Sequence, residues 1–207
     1  MIKNLYLLPV LLFALSFVAC DESEEVSKYA NWRERNEAFI DSLQAVCDLG
    51  EDPDLKCVVY DRDKKVNIFY KVLPGSPLSP KPDQTEPPFF TSKVKMVYRG
   101  MYIDETVFAK ATAPYHYTTM YKDLTVFDSN MSEDNYNPDF DSPAEFTVSG
   151  VIGGWTQLLQ IMKCGDRFEA YIPYQAGYGE SSSSSGIMAY STLIFDMEMV
   201  SIEYYPK

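Results

Sequence analysis

Residues 151–165 read VIGGWTQLLQIMKCG and contain the clearest helix signal in the second half of the chain. Two adjacent glycines and Trp155 lead into an apolar-rich run that ends at Gly165, a residue type common just after a helix. On both sides of this helix, short runs rich in β-branched and aromatic residues predict strands at 94–98, 144–148, 167–172 and 192–202. Many strands and one central helix predict an α+β fold, in which a curved antiparallel sheet wraps on that helix.

The chain before this region predicts a second helix and two further strands. Apolar residues recur every three or four positions across 28–47, until Gly50 and Pro53 break the pattern. Strand-like runs follow at 58–60 and 66–72, and six prolines make 74–88 an extended loop. We therefore expect an N-terminal helical extension over 28–65 and an α+β domain over 66–207. The apolar stripe of the first helix suits packing on its own domain, which we favour, or dimerisation.

The extreme N-terminus has the pattern of a bacterial lipoprotein. Lys3 precedes an almost wholly apolar run, 5–19, which is too short to span a membrane comfortably but suits a signal peptide. The run ends in Ala19-Cys20, which resembles a lipobox, and the acidic residues 21–25 follow. We expect a signal peptide (1–19), a lipid on Cys20 and a solvated tether (20–27). The expected location is the Gram-negative cell envelope, at the periplasmic or surface face of the outer membrane.

Composition excludes several other classes of protein. The formal net charge of −12 argues against a nucleic-acid partner, because phosphate binding requires a basic surface. The single histidine and the spacing of Cys47, Cys57 and Cys164 match no zinc site, so we expect no metal and no cofactor. Export implies an oxidising compartment, in which Cys47 and Cys57 could form a disulfide.

Six segments along the second half of the chain resemble, in the same order, those of the FKBP-type peptidyl-prolyl cis-trans isomerases. They include the strand end VYRG, the strand VFDSN and the turn VIGGW, and they lie at 97–100, 126–130, 146–155, 158–165, 172–179 and 191–198. Residues 32–39 and 172–175 further resemble a subset of exported bacterial FKBPs that carry an N-terminal helix. The resemblance implies the α+β fold already described and a catalytic pocket.

The chain also departs from the family pattern. The stretch between Gly100 and Phe127 is much longer than the usual hairpin, so we expect an inserted hairpin at about 101–124. Phe108 lies at the usual distance from Gly100 but lacks the aspartate that follows it in the family. We therefore assign the pocket pair to Phe127 and Asp128. Ala144 replaces a larger apolar residue, and the segment 187–189 (Ile-Met-Ala) replaces the family's Ile-Pro-Pro.

The resemblance implies a dry aromatic pocket that encloses a proline ring. Trp155 would form its floor, Tyr178 would donate a hydrogen bond to a substrate carbonyl, and Asp128 would orient polar groups at the twisting amide. The Ile152 backbone amide would also meet the substrate, and Ile187 would cover the pocket. Its full set of residues is Tyr98, Phe127, Asp128, Val151, Ile152, Trp155, Tyr178, Ile187 and Phe195.

The function that follows is rotation of X–Pro bonds in proline-containing exported polypeptides, with an FKBP-directed macrolide as a second class of ligand. Two alternatives remain open. The fold could hold unfolded or proline-containing segments with little catalysis, as the changes at Ala144 and 187–189 suggest. A surface lipoprotein could instead use the inserted hairpin as a partner-binding face.

Overall fold

A computed structural model describes residues 29–77, 85–103, 124–181 and 186–204. Two helices and seven strands are assigned there, with 3-10 turns at 148–150 and 174–176. In chain order they are α1 (Trp32–Leu49), β1 (Lys56–Val59), β2 (Asn67–Leu73), β3 (Lys93–Tyr102), β4 (Val126–Ser129), β5 (Ala144–Thr147), α2 (Gly153–Leu159), β6 (Arg167–Ile172) and β7 (Leu193–Glu203).

The seven strands of the described residues form one antiparallel sheet. Its order is β1-β2-β6-β7-β3, and the free edge of β3 is shared by β4 and β5. β5 pairs with the first half of β3, at Lys93–Met96, whereas β4 pairs with its second half, at Arg99–Met101. The middle of β3 therefore faces a gap between two short strands, and Tyr98 lies in this gap.

Successive residues of a strand point to opposite faces, so each face of the sheet has its own core. On the inner face, Ala170 and Leu193 pack with Leu158 and Leu159 of α2. On the outer face, Tyr171 packs against α1. The sheet thus lies between two helices, which confirms the predicted α+β class, its antiparallel sheet, its central helix and its N-terminal helix.

Helix α1 covers the outer face with Phe39, Leu43 and Val46, all of which are buried. Each such side chain contributes about 1.5–3 kcal/mol through burial. The helix ends at Leu49 because Gly50 adopts a left-handed conformation (φ 64°), which suits glycine. The apolar stripe of α1 packs on the sheet of its own chain, which is the arrangement that the sequence analysis favoured.

The expected boundary at residue 66 falls between β1 and β2, which are paired strands of one sheet. Strand β1 pairs residue by residue with Asn67–Tyr70 of β2, so the N-terminal extension continues into the sheet. Cys47 at the end of α1 and Cys57 in β1 are both free thiols. The neighbouring Cys57 contributes to the raised pKa of Cys47.

Several expectations fall outside the described residues. They concern the signal peptide, the tether with Cys20, and the part of the inserted hairpin that contains Phe108. Within the ranges that the structure describes, neither helix has the length and apolar composition needed to cross a bilayer.

Candidate active site

A cavity of about 320 Å³ opens on the inner face of the sheet, beside the start of α2. Its lining is mainly aromatic and aliphatic, with one carboxylate and two phenols. Ten residues line it: Tyr98, Phe127, Asp128, Phe146, Gly150, Val151, Ile152, Trp155, Tyr178 and Phe195. The structure thus brings together eight of the nine residues that the sequence assigned to a pocket, although they come from segments almost a hundred positions apart.

Trp155 forms the centre of the cavity's aromatic contacts. Its ring is 4% exposed and meets Phe195, Tyr98 and Phe146 edge-on, at centroid distances of 5.1, 5.2 and 5.4 Å. Edge-to-face pairs of this kind contribute about 0.5–1.5 kcal/mol each beyond burial. The indole N–H has no hydrogen-bond partner among the described residues. The Trp155 ring is therefore held by packing against these three neighbours.

The sequence around Trp155 explains why the helix can begin so close to the sheet. A Cβ atom at Gly154 would lie 2.5 Å from the side chain of Ile172, so the first turn of α2 fits only because residue 154 is glycine. The Thr156 hydroxyl donates to the Val148 carbonyl at 2.9 Å. This bond fixes the 3-10 turn at 148–150, which presents Val151 and Ile152 to the cavity.

Phe127 and Phe195 form a wall whose position depends on Gly100 of β3. Their ring centroids are 5.6 Å apart. A Cβ atom at Gly100 would lie 2.6 Å from the Phe127 ring and 2.8 Å from the Phe195 ring. Glycine at position 100 therefore lets both rings pack directly on the strand backbone.

The polar edge of the cavity is built around Asp128. The Tyr98 hydroxyl donates to Asp128 Oδ2 at 2.7 Å. Burial, and then this hydrogen bond to Asp128, raises the pKa of Tyr98 well above its usual value near 10. Burial, and then the charge of Asp128, also raises the pKa of Tyr178. Both phenols therefore remain neutral hydrogen-bond donors at physiological pH.

Asn130 supports this edge and was not predicted as a functional residue. Its side-chain oxygen accepts from the Tyr98 N–H at 2.7 Å, and its amide nitrogen donates to the carbonyls of Met96 and Ser142 at 3.0 and 3.2 Å. Asn130 thus fills the gap between β4 and β5. The signal was present, since Asn130 closes the VFDSN segment, but sequence alone does not show what an amide bridges.

Three further positions differ from the expected set. Ile187 is 1% exposed and belongs to the core between the sheet and α2, not to the cavity lining. The expectation that its side chain covers the pocket is therefore wrong in this structure. Phe146 and Gly150 line the cavity and were not assigned to it. Phe146 precedes Val148 by two residues, and that strand spacing, which places both on one face, could have identified it.

A larger cavity of about 470 Å³ lies on the opposite face of the sheet. Four of its charged groups form ion pairs, with Arg167 bound to Asp196 at 2.5 Å and Arg99 to Asp134 at 3.2 Å. A proline ring is apolar, and the loss of solvation of these charges would oppose its binding there. The aromatic cavity is therefore the better candidate for a site that acts on proline.

Comparisons with known proteins point to the same part of the chain. The family model described as FKBP-type peptidyl-prolyl cis-trans isomerase matches residues 109–200. Every residue that lines the aromatic cavity, apart from Tyr98, lies inside this match.

Two curated relatives are similar in sequence. The chain is 40% identical over 87 residues to the FKBP-type 22 kDa peptidyl-prolyl cis-trans isomerase of Escherichia coli K12, which covers 42% of this chain and 39% of that protein. It is 28% identical over 193 residues to the probable FKBP-type peptidyl-prolyl cis-trans isomerase of Haemophilus influenzae, which covers 88% of this chain and 77% of that protein. The first match thus spans about two fifths of its relative's length.

Among solved structures, the crystal structure of FkpA from Escherichia coli superimposes with a TM-score of 0.56 at 23% sequence identity. The match covers 86% of this chain and 64% of that one. At this identity the likeness establishes a shared fold.

Proposed function

We propose that this chain catalyses rotation about X–Pro bonds in exported polypeptides, because the FKBP-type peptidyl-prolyl cis-trans isomerase model matches residues 109–200. One observation carries the proposal. Trp155, Tyr98, Phe127 and Phe195 converge on one apolar cavity, and Asp128 lies at its polar edge.

The chemistry of this reaction needs no nucleophile and no cofactor. Rotation about the amide is slow because it breaks resonance, with a barrier of about 18–20 kcal/mol. The twisted transition state has lost the dipolar resonance form, so an apolar pocket binds it better than it binds the planar amide. A thousandfold acceleration requires only about 4 kcal/mol of such preference. A cavity with many aromatic rings and few charges is suited to this task.

Each residue of the cavity has a place in this mechanism. The proline ring would lie on Trp155, between the rings of Phe127 and Phe195. The Ile152 amide, at the N-cap of α2, and the Tyr178 hydroxyl would donate to substrate carbonyls on either side of the rotating bond. The bond from Tyr98 keeps the Asp128 carboxylate aimed at the cavity mouth, where it would orient polar groups of the twisting amide.

The proposal extends to location and clients. The apolar run before Cys20 and the acidic segment after it support export and a lipid anchor on Cys20. An anchored isomerase would meet polypeptides that fold outside the cytoplasm, so we propose that it assists folding at the outer membrane, at its periplasmic or surface face.

The direct test is an isomerisation assay on short peptides that contain X–Pro bonds, with the protein beginning at residue 20. We expect acceleration of the slow cis-to-trans phase, saturation with peptide, and inhibition by an FKBP-directed macrolide. A correctly folded protein that leaves the uncatalysed rate unchanged contradicts the proposal.

A second candidate function, peptide binding without catalysis, is favoured by one observation. Ile187 is buried in the core, so its side chain does not line the cavity. A cavity without this covering side chain could hold proline-containing segments of unfolded chains without enclosing the rotating bond. Peptide binding measured by fluorescence, together with an unchanged isomerisation rate, would support this function over the first.

A further inference from the structure

The first two turns of α1 are hydrogen-bonded to the loop that leads into β7. The Trp32 indole N–H donates to Ser191 Oγ at 3.2 Å, and this hydroxyl donates to the Met188 carbonyl at 2.7 Å. The Asn36 side-chain oxygen accepts from the Thr192 N–H at 2.7 Å, and the Thr192 hydroxyl donates to the Asn36 carbonyl at 3.3 Å. The helix thus holds both the loop and the first residues of the strand that carries Phe195.

The same loop reaches the segment that bears Tyr178. The Tyr190 N–H donates to the Gly179 carbonyl at 3.0 Å. The Tyr190 ring lies 5.0 Å from the ring of Tyr174, and the Arg33 guanidinium of α1 stacks on it at 4.4 Å. Tyr190 has a positive φ of 61°, a conformation that a bulky residue adopts only when its surroundings hold it there. Contacts from α1 and from residues 174–179 therefore fix this strained position together.

A second set of contacts connects α1 to the pocket wall. The Trp32 ring meets the Tyr102 ring edge-on at 6.2 Å, and the Tyr102 ring lies 4.8 Å from that of Phe127. Trp32 is therefore two aromatic contacts away from the cavity by this route. By the other route, its hydrogen bond to Ser191 connects it to the loop beside Tyr178.

Asn36 is a buried polar residue of α1, and it gives the helix a specific hydrogen-bonded contact in addition to its apolar packing. It is 0% exposed. Its amide nitrogen donates to the Trp32 carbonyl at 2.7 Å, and its side-chain oxygen accepts from the Thr192 N–H. A buried polar side chain is costly unless all its hydrogen bonds are made, and when they are made it specifies a single geometry. An apolar residue here would leave the Thr192 N–H buried without this acceptor.

We propose that Trp32 and Asn36 are positioning residues of the active site: they hold the rim of the pocket at Tyr178 and its wall at Phe127 in the geometry that binds the twisted X–Pro bond. This inference rests on the proposed isomerase function and gives the N-terminal extension a role in that reaction. The helix acts through the 186–192 loop and through Tyr102, without touching the substrate.

The first test compares variants of α1 in the isomerisation assay. Asn36→Leu keeps the branched shape of the side chain, with slightly larger end groups, but removes the acceptor for Thr192, and we expect kcat/KM to fall about three- to tenfold. Trp32→Phe keeps one aromatic ring beside Tyr102 and loses the indole donor, so its loss should be smaller than that of Trp32→Ala. Val46→Ala, near the far end of α1, is the matched control: it should lower stability and leave kcat/KM unchanged.

The second test measures the exposure of Trp155 to solvent and does not require catalysis. The chain has two tryptophans, so Trp32→Phe leaves Trp155 as the single fluorescent reporter on the cavity floor. In this background, we expect Asn36→Leu to raise quenching of Trp155 by acrylamide about twofold, and Val46→Ala to leave it unchanged. If the unmodified chain shows no isomerase activity, the proposed function fails, while this measurement still decides whether α1 positions the pocket.

Two outcomes overturn the inference. In one, Asn36→Leu folds and alters neither kcat/KM nor Trp155 quenching. In the other, Val46→Ala reduces activity and opens the pocket as much as Asn36→Leu does, which would mean that any loss of stability has this effect. If Asn36→Leu does not fold, the order of Trp32→Phe and Trp32→Ala decides, and equal, unchanged activity in both contradicts the inference.

Discussion

Two alignments of this chain with an isomerase pocket are possible, and they assign the wall residue to Phe127 or to Phe108. The Phe127 ring packs on Gly100 and against Phe195 and lines the cavity. We expect Phe127→Ala to lower kcat/KM by ten- to a hundredfold, about 1.4–2.7 kcal/mol of transition-state binding, because one wall of the proline site is lost. The matched control is Phe140→Ala, since Phe140 is 76% exposed and should be neutral. Full activity in Phe127→Ala and a large loss in Phe108→Ala would show that Phe108 is the wall residue.

Tyr98 gives a prediction about stability at high pH. Burial and the hydrogen bond to Asp128 raise its pKa in the folded state above the unfolded value near 10. A raised pKa gives stability that is complete below the unfolded pKa and is lost as pH rises through the folded pKa, because the unfolded chain releases the proton first. We therefore expect the unfolding midpoint to fall above pH 10, and to fall less steeply in Tyr98→Phe, as measured by denaturant titration between pH 8 and 11. Equal slopes for the two proteins would contradict this prediction.

The family resemblance predicted the aromatic lining of the cavity better than its supporting contacts. Trp155 follows two glycines, and Tyr178 lies between two, so both positions carried a recognisable pattern. Ile187 was misassigned because a sequence position near a pocket does not say which way its side chain points. Asn36 was missed because a polar residue in an amphipathic helix normally faces water, and its burial depends on Thr192, which lies 156 residues later.

At the scale of elements, the contact between α1 and β1 predicts a redox-sensitive connection. Burial, and then the neighbouring Cys57, raises the pKa of Cys47 to about 11, so this thiol is protonated at physiological pH. In an oxidising compartment we expect the two thiols to form a disulfide that closes a loop of roughly ten residues and adds about 2–3 kcal/mol of stability. Peptide mass mapping after mild oxidation should find the bridge, and the reduced protein should unfold at a lower temperature.

The control for this bridge is Cys164→Ser, which removes a thiol that lies in the other core and should leave bridge formation intact. A bridge requires Cα atoms within about 7 Å of each other. Thiols at positions 47 and 57 that both remain alkylatable after oxidation would contradict the prediction.

The bounds of strands with strong β patterns were predicted within one or two residues. The bounds of strands that depend on their pairing partners were not. Residues Arg167–Ile172 form β6 with the expected bounds. β3 extends to Tyr102, past the predicted end at 98, because β7 pairs with it along its whole length. β4 (Val126–Ser129) was expected only from the family resemblance at 126–130, and its pairing with Arg99–Met101 was not predicted. Such pairing partners are distant in sequence, and a local pattern carries no information about them.

At the scale of the whole molecule, one prediction concerns where the protein is held. If Cys20 carries a lipid, the signal peptide is removed and the acidic tether separates the folded part from the bilayer. Cys20→Ser should then move the protein from the membrane fraction to the soluble fraction of cells, with its fold unchanged. Cys164→Ser, which alters a buried cysteine, is the control and should stay in the membrane fraction. Membrane association of Cys20→Ser equal to that of the unchanged chain would exclude this anchor.

The outer face of the sheet shows that the N-terminal helix and the sheet depend on each other. The outer face presents Phe69, Tyr171 and Ile194 to α1, and all three are fully buried there. Without the helix, this apolar surface would meet water. The sequence suggested a boundary at residue 66 because the resemblance to the FKBP family covers about 66–205, but that resemblance does not show what the helix covers.

The last prediction follows from this dependence. The three core side chains of α1, Phe39, Leu43 and Val46, each contribute about 1.5–3 kcal/mol by burial, and their sum is comparable to the total stability of an ordinary domain, about 5–15 kcal/mol. We therefore expect a chain that begins at residue 66 to lack a cooperative unfolding transition, whereas one that begins at residue 29 should unfold cooperatively. Leu43→Ala gives a graded form of the same test, because deleting a buried leucine to alanine costs about 2–5 kcal/mol and should lower the thermal midpoint without abolishing folding. Calorimetry and near-ultraviolet circular dichroism measure both effects. If the chain from residue 66 unfolds cooperatively at the midpoint of the longer one, α1 is a dispensable appendage, and the positioning role of Trp32 and Asn36 would have no structural basis.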